Sequence, residues 1–298
     1  MILSVSRRTD IPAFFTDWFF KRLGEGFALV RNPFNYHQVS KVKLDPSIID
    51  CIVFWTKNPG KILPKLKALS AYNYYFQITL NAYDQKLERY LPPKEEIIES
   101  FRALAEKIGK EKTVWRYDPI ILTKDIDMRY HAKNFGKIAS QLKGHTERCI
   151  ISFVDAYQKS ERNLKAINQE LITEAKKLEI ARLLAELAAE NDLKLMTCCE
   201  QIDLTSLGIE HAKCIDDRLI SRISGRELKV PKDKNQREAC GCVASVDLGA
   251  YNTCRHGCLY CYANYSERAV KNNVLKHDPN SPLLIGNLEP GDRIRERR

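Results

Sequence analysis

The residues with the clearest chemical potential are three cysteines late in the sequence, Cys254, Cys258 and Cys261. Their CxxxCxxC spacing lets three thiolates bind three iron atoms of one cubane cluster and leave the fourth iron open. An open coordination position is what distinguishes a catalytic metal site from a closed structural one. Gly257 allows a tight turn around the metal, and the aromatic Tyr260 directly precedes the third cysteine. The spacing alone also fits a zinc knuckle or ribbon that takes its fourth ligand from elsewhere in the chain.

A second set of cysteines lies in the same third of the chain: Cys198, Cys199, Cys214, Cys240 and Cys242. The Cys240-Gly-Cys242 pair can bring two sulfurs to one metal, and the charged loop at 230–238 can fold this pair back toward residue 198. A metal bound by Cys214, Cys240 and Cys242 would take its fourth ligand from Cys198 or Cys199. We favour Cys198 over Cys199, because neighbouring strand residues point to opposite faces. We expect a second iron–sulfur cluster or a structural zinc ion here; the alternative is reduced thiols without a metal.

The remaining cysteines and the histidines carry weaker signals. Cys51 and Cys149 stand alone in apolar runs and are interpreted as core thiols. His256 lies inside the CxxxCxxC motif and is interpreted as a polar loop residue. No ligand spacing is seen for the other histidines, which are His37, His131, His145, His211 and His277.

The composition limits the class of protein. The chain has 298 residues, of which 44% are hydrophobic and 29% charged, as in a soluble globular protein. No apolar run approaches the roughly 20 residues of a membrane span, and the first residues do not resemble a signal peptide. We therefore expect a cytoplasmic protein, in which ten cysteines serve more often as metal ligands or catalytic groups than as disulfides. The formal charge of +10 favours anionic partners, with nucleic acid as one candidate.

Six apolar runs rich in β-branched or aromatic residues predict strands at 2–6, 51–55, 75–79, 113–116, 149–153 and 194–197. Helical patterns lie between them. The clearest one begins after Pro93 and ends before Gly109, and another runs from Ala175 to Ala188 with Asn191 as its cap. Alternation of strand and helix is typical of parallel strands joined by crossover helices. The expected fold is therefore α/β, a partial (β/α) barrel of about six parallel strands.

Polar residues follow these predicted strands directly. Lys57 comes after the second strand, and Arg116 and Asp118 lie at the end of the fourth. Because the loops after the carboxyl ends of barrel strands build active sites, we expect these side chains to line one polar cavity. Each of them can instead form a structural ion pair.

Several of these motifs together resemble a known family. CxxxCxxC with Tyr260 resembles the signature of radical S-adenosylmethionine (radical SAM) enzymes, and Tyr262-Ala263 is similar to the spore photoproduct lyase branch. The segments Thr-Lys-Asn at Lys57 and Arg-Tyr-Asp-Pro at Arg116 resemble the same branch. Across most of the chain, Ser-Arg-Arg-Thr-Asp, Phe-Trp-Thr-Lys-Asn-Pro and the late Cys-x-Cys plus CxxxCxxC resemble a bacterial family named only as domain of unknown function 1848.

The resemblance implies that the three motif cysteines bind a 4Fe-4S cluster whose fourth iron binds SAM. An electron, supplied by a reductant such as flavodoxin or ferredoxin, would cleave SAM to methionine and a 5′-deoxyadenosyl radical that abstracts hydrogen from a substrate. Tyr260 would flank the adenine. Candidates for anchoring the carboxylate, amine or ribose of SAM are Arg116, Lys57 and Asp118. Nucleic acid, peptide and small molecule all remain open as substrates.

Two features depart from the family pattern. Radical SAM chains normally carry the cysteines after the first barrel strand, whereas here they follow six predicted strands, so we expect a circular permutation in which 244–248 is the cluster-bearing strand. No Gly-Gly-Glu element for the amine of SAM follows the third strand.

The expected domains are a barrel body over residues 1–200 and a cysteine-rich iron–sulfur region over 201–298, packed on the mouth of the barrel. The rival function is a zinc- or iron–sulfur-stabilised module that binds nucleic acid or regulates, without SAM chemistry.

Overall fold

The computed structural model describes residues 1–154 and 163–297. Its strands are β1 (Ile2–Val5), β2 (Phe27–Arg31), β3 (Gln38–Lys43), β4 (Cys51–Thr56), β5 (Tyr74–Thr79), β6 (Thr113–Ile120), β7 (Arg148–Phe153), β8 (Lys194–Thr197), β9 (Glu210–His211), β10 (Val246–Asp247) and β11 (Arg293–Arg297). The α-helices are α1 (Ile11–Phe14), α2 (Thr16–Glu25), α3 (Lys94–Ile108), α4 (Met128–Leu142), α5 (Glu174–Glu190), α6 (Asp217–Ser224) and α7 (Glu267–Val274). Short 3-10 helices span Leu63–Leu69, Lys110–Lys112 and Thr205–Leu207.

Eight strands form one large sheet in the order β10-β1-β4-β5-β6-β7-β8-β9, and each is parallel to its neighbours. The prediction of an α/β fold with a parallel sheet is confirmed, and all six predicted strands are present. The expected number of six strands was too low. β9 and β10 have only two residues each, which is too short for a periodic apolar pattern to show in the sequence. The sheet is open, with β10 and β9 at its edges.

Two predicted helices illustrate how local sequence determines the connections. Helix α3 begins after Pro93 and ends at Gly109, and its apolar side packs on the sheet, as predicted. Helix α5 has Thr173 as its N-cap and Asn191 as its C-cap, and it buries a stripe that includes Leu184. No helix in the described ranges is long and apolar enough to cross a membrane.

The two faces of the large sheet are covered differently. On one face, alternate strand residues such as Phe54 and Trp115 pack with apolar residues of the helices. On the other face, residues such as Val53 and Tyr75 pack against residues 212–243, which we call the covering segment. Because strand side chains alternate between faces, the face under the covering segment continues at the carboxyl ends of the strands into polar positions such as Arg116.

β10 lies beside β1 because one carboxylate joins them. Asp247 is buried, and it accepts hydrogen bonds from the hydroxyls of Ser4 (2.8 Å) and Ser6 (2.6 Å). It also accepts the backbone N–H groups of Arg7 (2.8 Å) and Gly249 (2.9 Å). The strand expected within 244–248 is therefore present, in parallel register with β1.

A second, smaller sheet was not predicted. β2 and β3 form an antiparallel pair, and β11 adds to β3 in parallel. The charged residues of β3 and β11 obscure the apolar alternation on which a strand prediction depends. Residues beyond 200 thus contribute β9 and β10 to the large sheet and β11 to the small one, while the domain boundary at residue 200 stays a prediction.

The close approach of β10 to β1 gives a first testable prediction. A Cβ added at Gly249 would lie 1.9 Å from the Oγ and 2.7 Å from the Cβ of Ser6, so we expect Gly249→Ala to destabilise the fold by about 1–3 kcal/mol or more. Gly24, inside helix α2, has open space at the same position, and Gly24→Ala should leave stability unchanged or raise it by up to about 1 kcal/mol. Urea unfolding of both variants checks this; equal midpoints would contradict the tight contact.

Candidate metal and cofactor site

The CxxxCxxC motif forms a loop at the carboxyl end of the large sheet, residues 254–261, which we call the three-cysteine loop. The backbone N–H of Tyr90 donates to the carbonyl of His256 (3.0 Å), and the N–H of Leu259 donates to the carbonyl of Leu87 (2.9 Å). Gly257 has a φ of +67°, and a Cβ there would lie 2.5 Å from the ring of Tyr90. A left-handed glycine in close contact with its neighbour therefore fixes the course of the loop.

The three thiols of this loop are half-buried, and they lie within electrostatic range of one another. Burial raises the pKa of Cys254, and the negative charges of Cys261 and Cys258 raise it further. Backbone N–H groups donate to sulfur at two of the three positions: His256 to Cys254, and Ala263 to Cys261 at 3.4 Å. As thiolates these groups would repel one another, and a bound cation would relieve that repulsion.

The donor set therefore fits an iron–sulfur cluster in its chemistry, since such clusters use cysteine thiolates that accept backbone N–H bonds. In the ranges that the structure describes, no three His, Cys, Asp or Glu side chains already stand in the arrangement of a metal site. The three motif cysteines share one loop at the end of the sheet, and their role as ligands stays a prediction.

Tyr260, which precedes the third cysteine, connects the loop to a buried ion cluster. Its hydroxyl lies 2.9 Å from the Nζ of Lys57 and 3.2 Å from the Nδ2 of Asn81, and it donates to Glu88. The carboxylate of Glu88 also binds Lys57 (2.7 Å) and Lys94. Burial would raise the pKa of Glu88 and lower that of Lys57, but their opposite charges hold the first below and the second above its ordinary value. Both groups are therefore charged at neutral pH.

His256 takes part in a second buried pair. Its Nε2 lies 2.7 Å from the Oδ2 of Asp10, which also accepts the backbone N–H of Lys57 at 2.7 Å. His256 is a polar loop residue, as interpreted from the sequence, and the structure adds that it is only 3% exposed and joins the three-cysteine loop to the start of helix α1. Burial raises the pKa of Cys258 to about 12, and the nearby ammonium of Lys57 opposes this rise.

The two candidates on the fourth predicted strand pair with each other. The Nε and Nη2 of Arg116 donate to one oxygen of Asp118 at 3.2 and 2.6 Å, and the hydroxyl of Ser152 donates to the other. Asn81 binds both the N–H and the carbonyl of Asp118. Burial would raise the pKa of Asp118, but the guanidinium holds it below its ordinary value. The structural ion pair that the sequence left open is therefore present, and a role in binding SAM stays a prediction.

The second cysteine set also converges. The sulfurs of Cys198 and Cys214 lie 3.0 Å apart, and the Nη1 of Arg116 donates to Cys214 at 2.7 Å. The N–H of Ile215 donates to the sulfur of Cys242 at 3.4 Å, and interaction with the thiols of Cys214 and Cys240 holds the pKa of Cys242 below its ordinary value. Cys199 lies next to this group at the edge of the covering segment, with a φ of +60°. The four cysteines proposed from the sequence are therefore neighbours, with Cys198 rather than Cys199 in contact with Cys214.

Two carboxylates of the site were not recognised from the sequence. Glu88 lies in a turn between β5 and α3, and Asp247 ends a two-residue strand, so neither follows a strong periodic signal. The one local hint is the position of Asp247 between the apolar residues Val246 and Leu248, which indicates a buried partner; Glu88 is followed by Arg89 and has no such signal.

The ion cluster around Glu88 gives a second prediction. Glu88→Gln leaves Lys57 and Lys94 without their countercharge, so we expect a loss of about 3–5 kcal/mol in the free energy of unfolding at pH 7. Since the pKa of Glu88 is depressed in the folded protein, its contribution is present above the unfolded value of about 4.3 and is lost as the pH falls below it. Unfolding curves from pH 3 to 7 should show less acid destabilisation in the variant.

The matched control is Glu267→Gln, which breaks the half-exposed pair with Arg89. It should cost no more than about 1 kcal/mol. Equal losses for both variants would contradict the special role of the buried cluster.

Comparison with known proteins places the chain in a family. No curated protein matches it. Among solved structures, a pyruvate carboxylase variant of Rhizobium etli crystallized without acetyl coenzyme A aligns at 13% identity over 76% of this chain and 27% of its own, with a TM-score of 0.22. A family model described as "Domain of unknown function (DUF1848)" matches residues 2–263, and because this covers most of the sequence, the chain belongs to the DUF1848 family.

Proposed function

We propose that the protein is a radical SAM enzyme whose 4Fe-4S cluster is held by Cys254, Cys258 and Cys261. The observation that carries the proposal is the position of β10. This strand lies at the edge of the large sheet beside β1, and the three-cysteine loop follows it. In a circularly permuted barrel, the strand that bears the cluster would stand at this edge, ahead of the strand that begins the chain.

The proposed chemistry is reductive: when bound, the cluster and SAM together supply a 5′-deoxyadenosyl radical. The residues of the chain position and shield this chemistry. Lys57 and Glu88 hold the hydroxyl of Tyr260 and so fix the loop on the sheet, while Asp10 holds His256. Lys57 places positive charge next to the thiol of Cys258, and the two pairs keep the loop packed against the sheet end, which limits access of water.

Arg116 is the proposed partner of the SAM carboxylate. Its bonds to other described residues use three of its five N–H groups, two toward Asp118 and one toward Cys214. Its pKa lies well above its ordinary value despite burial, which alone would lower it, because Cys214 and Asp118 add negative charge. A permanently charged, preoriented guanidinium is suited to a carboxylate. The net charge of +10 favours an anionic substrate.

The central test is the triple variant Cys254→Ala, Cys258→Ala and Cys261→Ala. After anaerobic purification, reconstitution with iron and sulfide and reduction with dithionite, the wild-type protein should convert SAM to 5′-deoxyadenosine, and the variant should form none. Chromatography of the nucleoside product and electron paramagnetic resonance of the reduced protein measure this. Cys149→Ala, a buried core thiol, is the matched control and should retain the activity.

The same purification separates the proposal from the rival function. Brown protein with visible absorbance supports an iron–sulfur enzyme. Colourless wild-type protein that holds zinc on the three motif cysteines and produces no 5′-deoxyadenosine would favour the zinc-stabilised binding or regulatory module.

Arg116→Lys tests the proposed carboxylate contact. Losing a hydrogen bond to a charged group costs about 1.5–3 kcal/mol, so the Kd for SAM should rise roughly 10- to 150-fold while the iron content is unchanged. Arg148→Lys is the matched control, because Arg148 pairs with Asp216 at the opposite, amino end of β7. Calorimetric titration with SAM measures the affinities. Unchanged affinity of Arg116→Lys together with a lower Tm would assign Arg116 to the scaffold.

A further inference from the structure

We infer that Cys198, Cys214, Cys240 and Cys242 bind one zinc ion, in a site separate from the three-cysteine loop. The four thiols come from three places in the chain: the end of β8, the start of the covering segment and its end. Their meeting under one face of the sheet is the observation that carries the inference.

The thiols form one group. The sulfur of Cys198 contacts that of Cys214. The N–H of Ile215 donates to the sulfur of Cys242 and the N–H of Val243 donates to the carbonyl of Ile215, which places Cys242 beside Cys214. Cys240 is two residues from Cys242 in the chain. Each of these side chains is buried or half-buried in the apolar cluster that the covering segment forms with the sheet. Apolar packing alone gives no reason for four thiols to gather at one point, whereas four thiolates are a complete ligand set for a structural zinc ion.

The spacing of the sulfurs favours a single ion over a cubane. With zinc–sulfur bonds of about 2.3 Å in a tetrahedron, neighbouring sulfurs lie about 3.8 Å apart. The sulfurs of Cys198 and Cys214 are at 3.0 Å, so they need to separate by less than about 1 Å, which side-chain rotation can supply. The ligands of a cubane bind different iron atoms and would have to move much farther apart. The small movement of the sulfurs toward zinc geometry is required, because no three metal ligands among the described residues already stand in the arrangement of a metal site.

Hydrogen-bond donors around the sulfurs support a thiolate site. The backbone N–H of Ile215 lies 3.4 Å from the sulfur of Cys242, and the guanidinium of Arg116 lies 2.7 Å from that of Cys214. Four thiolates around Zn²⁺ carry a net charge of −2, and such donors and the positive charge of Arg116 offset part of it. With four protein ligands the site has no open position, so its role is to hold the covering segment on the sheet.

The test uses the triple alanine variant of the three-cysteine loop, so that the other site binds no metal whatever its function. Expressed with zinc and purified without chelator, this protein should carry about one zinc ion per chain by mass spectrometry of the metal. Adding Cys214→Ser or Cys240→Ser should lower this to less than about a fifth of an ion. Adding Cys51→Ser, a buried thiol on the same face of the sheet, is the matched control and should leave the zinc content unchanged.

Substitution of the ion by Co²⁺ provides a second readout on the same background. Thiolate-bound tetrahedral cobalt has visible bands and near-ultraviolet charge-transfer bands, which should be lost with Cys240→Ser. If the serine variants do not fold, alkylation of the folded background protein decides instead: Cys198, Cys214, Cys240 and Cys242 should be protected with zinc and labelled after its removal by a chelator.

Three outcomes would overturn the inference. The first is a folded background variant without metal whose four thiols label freely. The second is a disulfide between Cys198 and Cys214 in freshly purified protein, and the third is stoichiometric iron and sulfide in place of zinc. None of these depends on whether the three-cysteine loop produces 5′-deoxyadenosine, so this inference and the proposed function can fail separately.

Discussion

The carboxylate of Asp247 is the interaction on which the arrangement of the site depends. It accepts two hydroxyls and two backbone N–H groups from both sides of the contact between β10 and β1. A buried carboxylate is costly without such donors, and with them it has one stable position. β10 has only two residues, so its place in the sheet rests more on this carboxylate than on ladder hydrogen bonds. The three-cysteine loop comes a few residues after β10 in the chain. The position of β10 therefore determines how far this loop lies from Lys57 and Arg116.

The pairing of buried charges is the second constraint on the arrangement of the site. Glu88 and Lys57 lie on the side of the three-cysteine loop, and Asp118 and Arg116 lie toward the second cysteine set. Each buried ion has an opposite charge in direct contact, which is how ionised groups remain stable inside a fold. Because Arg116 touches both Asp118 and Cys214, a change in the charge of the second set alters the field at the carboxyl end of the sheet.

The parts of the fold that could be predicted are those with a strong local period. The six predicted strands of the large sheet and the helices α3 and α5 carry apolar patterns and caps, and the structure has them where the sequence indicates. The convergence of Cys198 with Cys214 could be inferred from residue type and strand alternation. The pairs His256–Asp10 and Glu88–Lys57 could not, because each joins segments far apart in the chain and depends on how loops meet. The small sheet was missed for another reason: two of its strands, β3 and β11, are rich in charged residues, and tertiary packing rather than residue pattern forms them.

The position of β1 between β10 and β4 has a consequence for how the protein is made. Ser4 and its partner Asp247 are separated by 243 residues, so β1 cannot complete its pairing until the ribosome has released the last third of the chain. Until then one edge of β1 is exposed, and contacts of such long range form late and slowly. The nascent chain can build β4 to β8 first, but the loop with the three cysteines is made after β10 and only then meets the segments around Leu87 and Asp10 on which it docks. Insertion of any metal there is therefore a late, post-translational event on an almost finished fold.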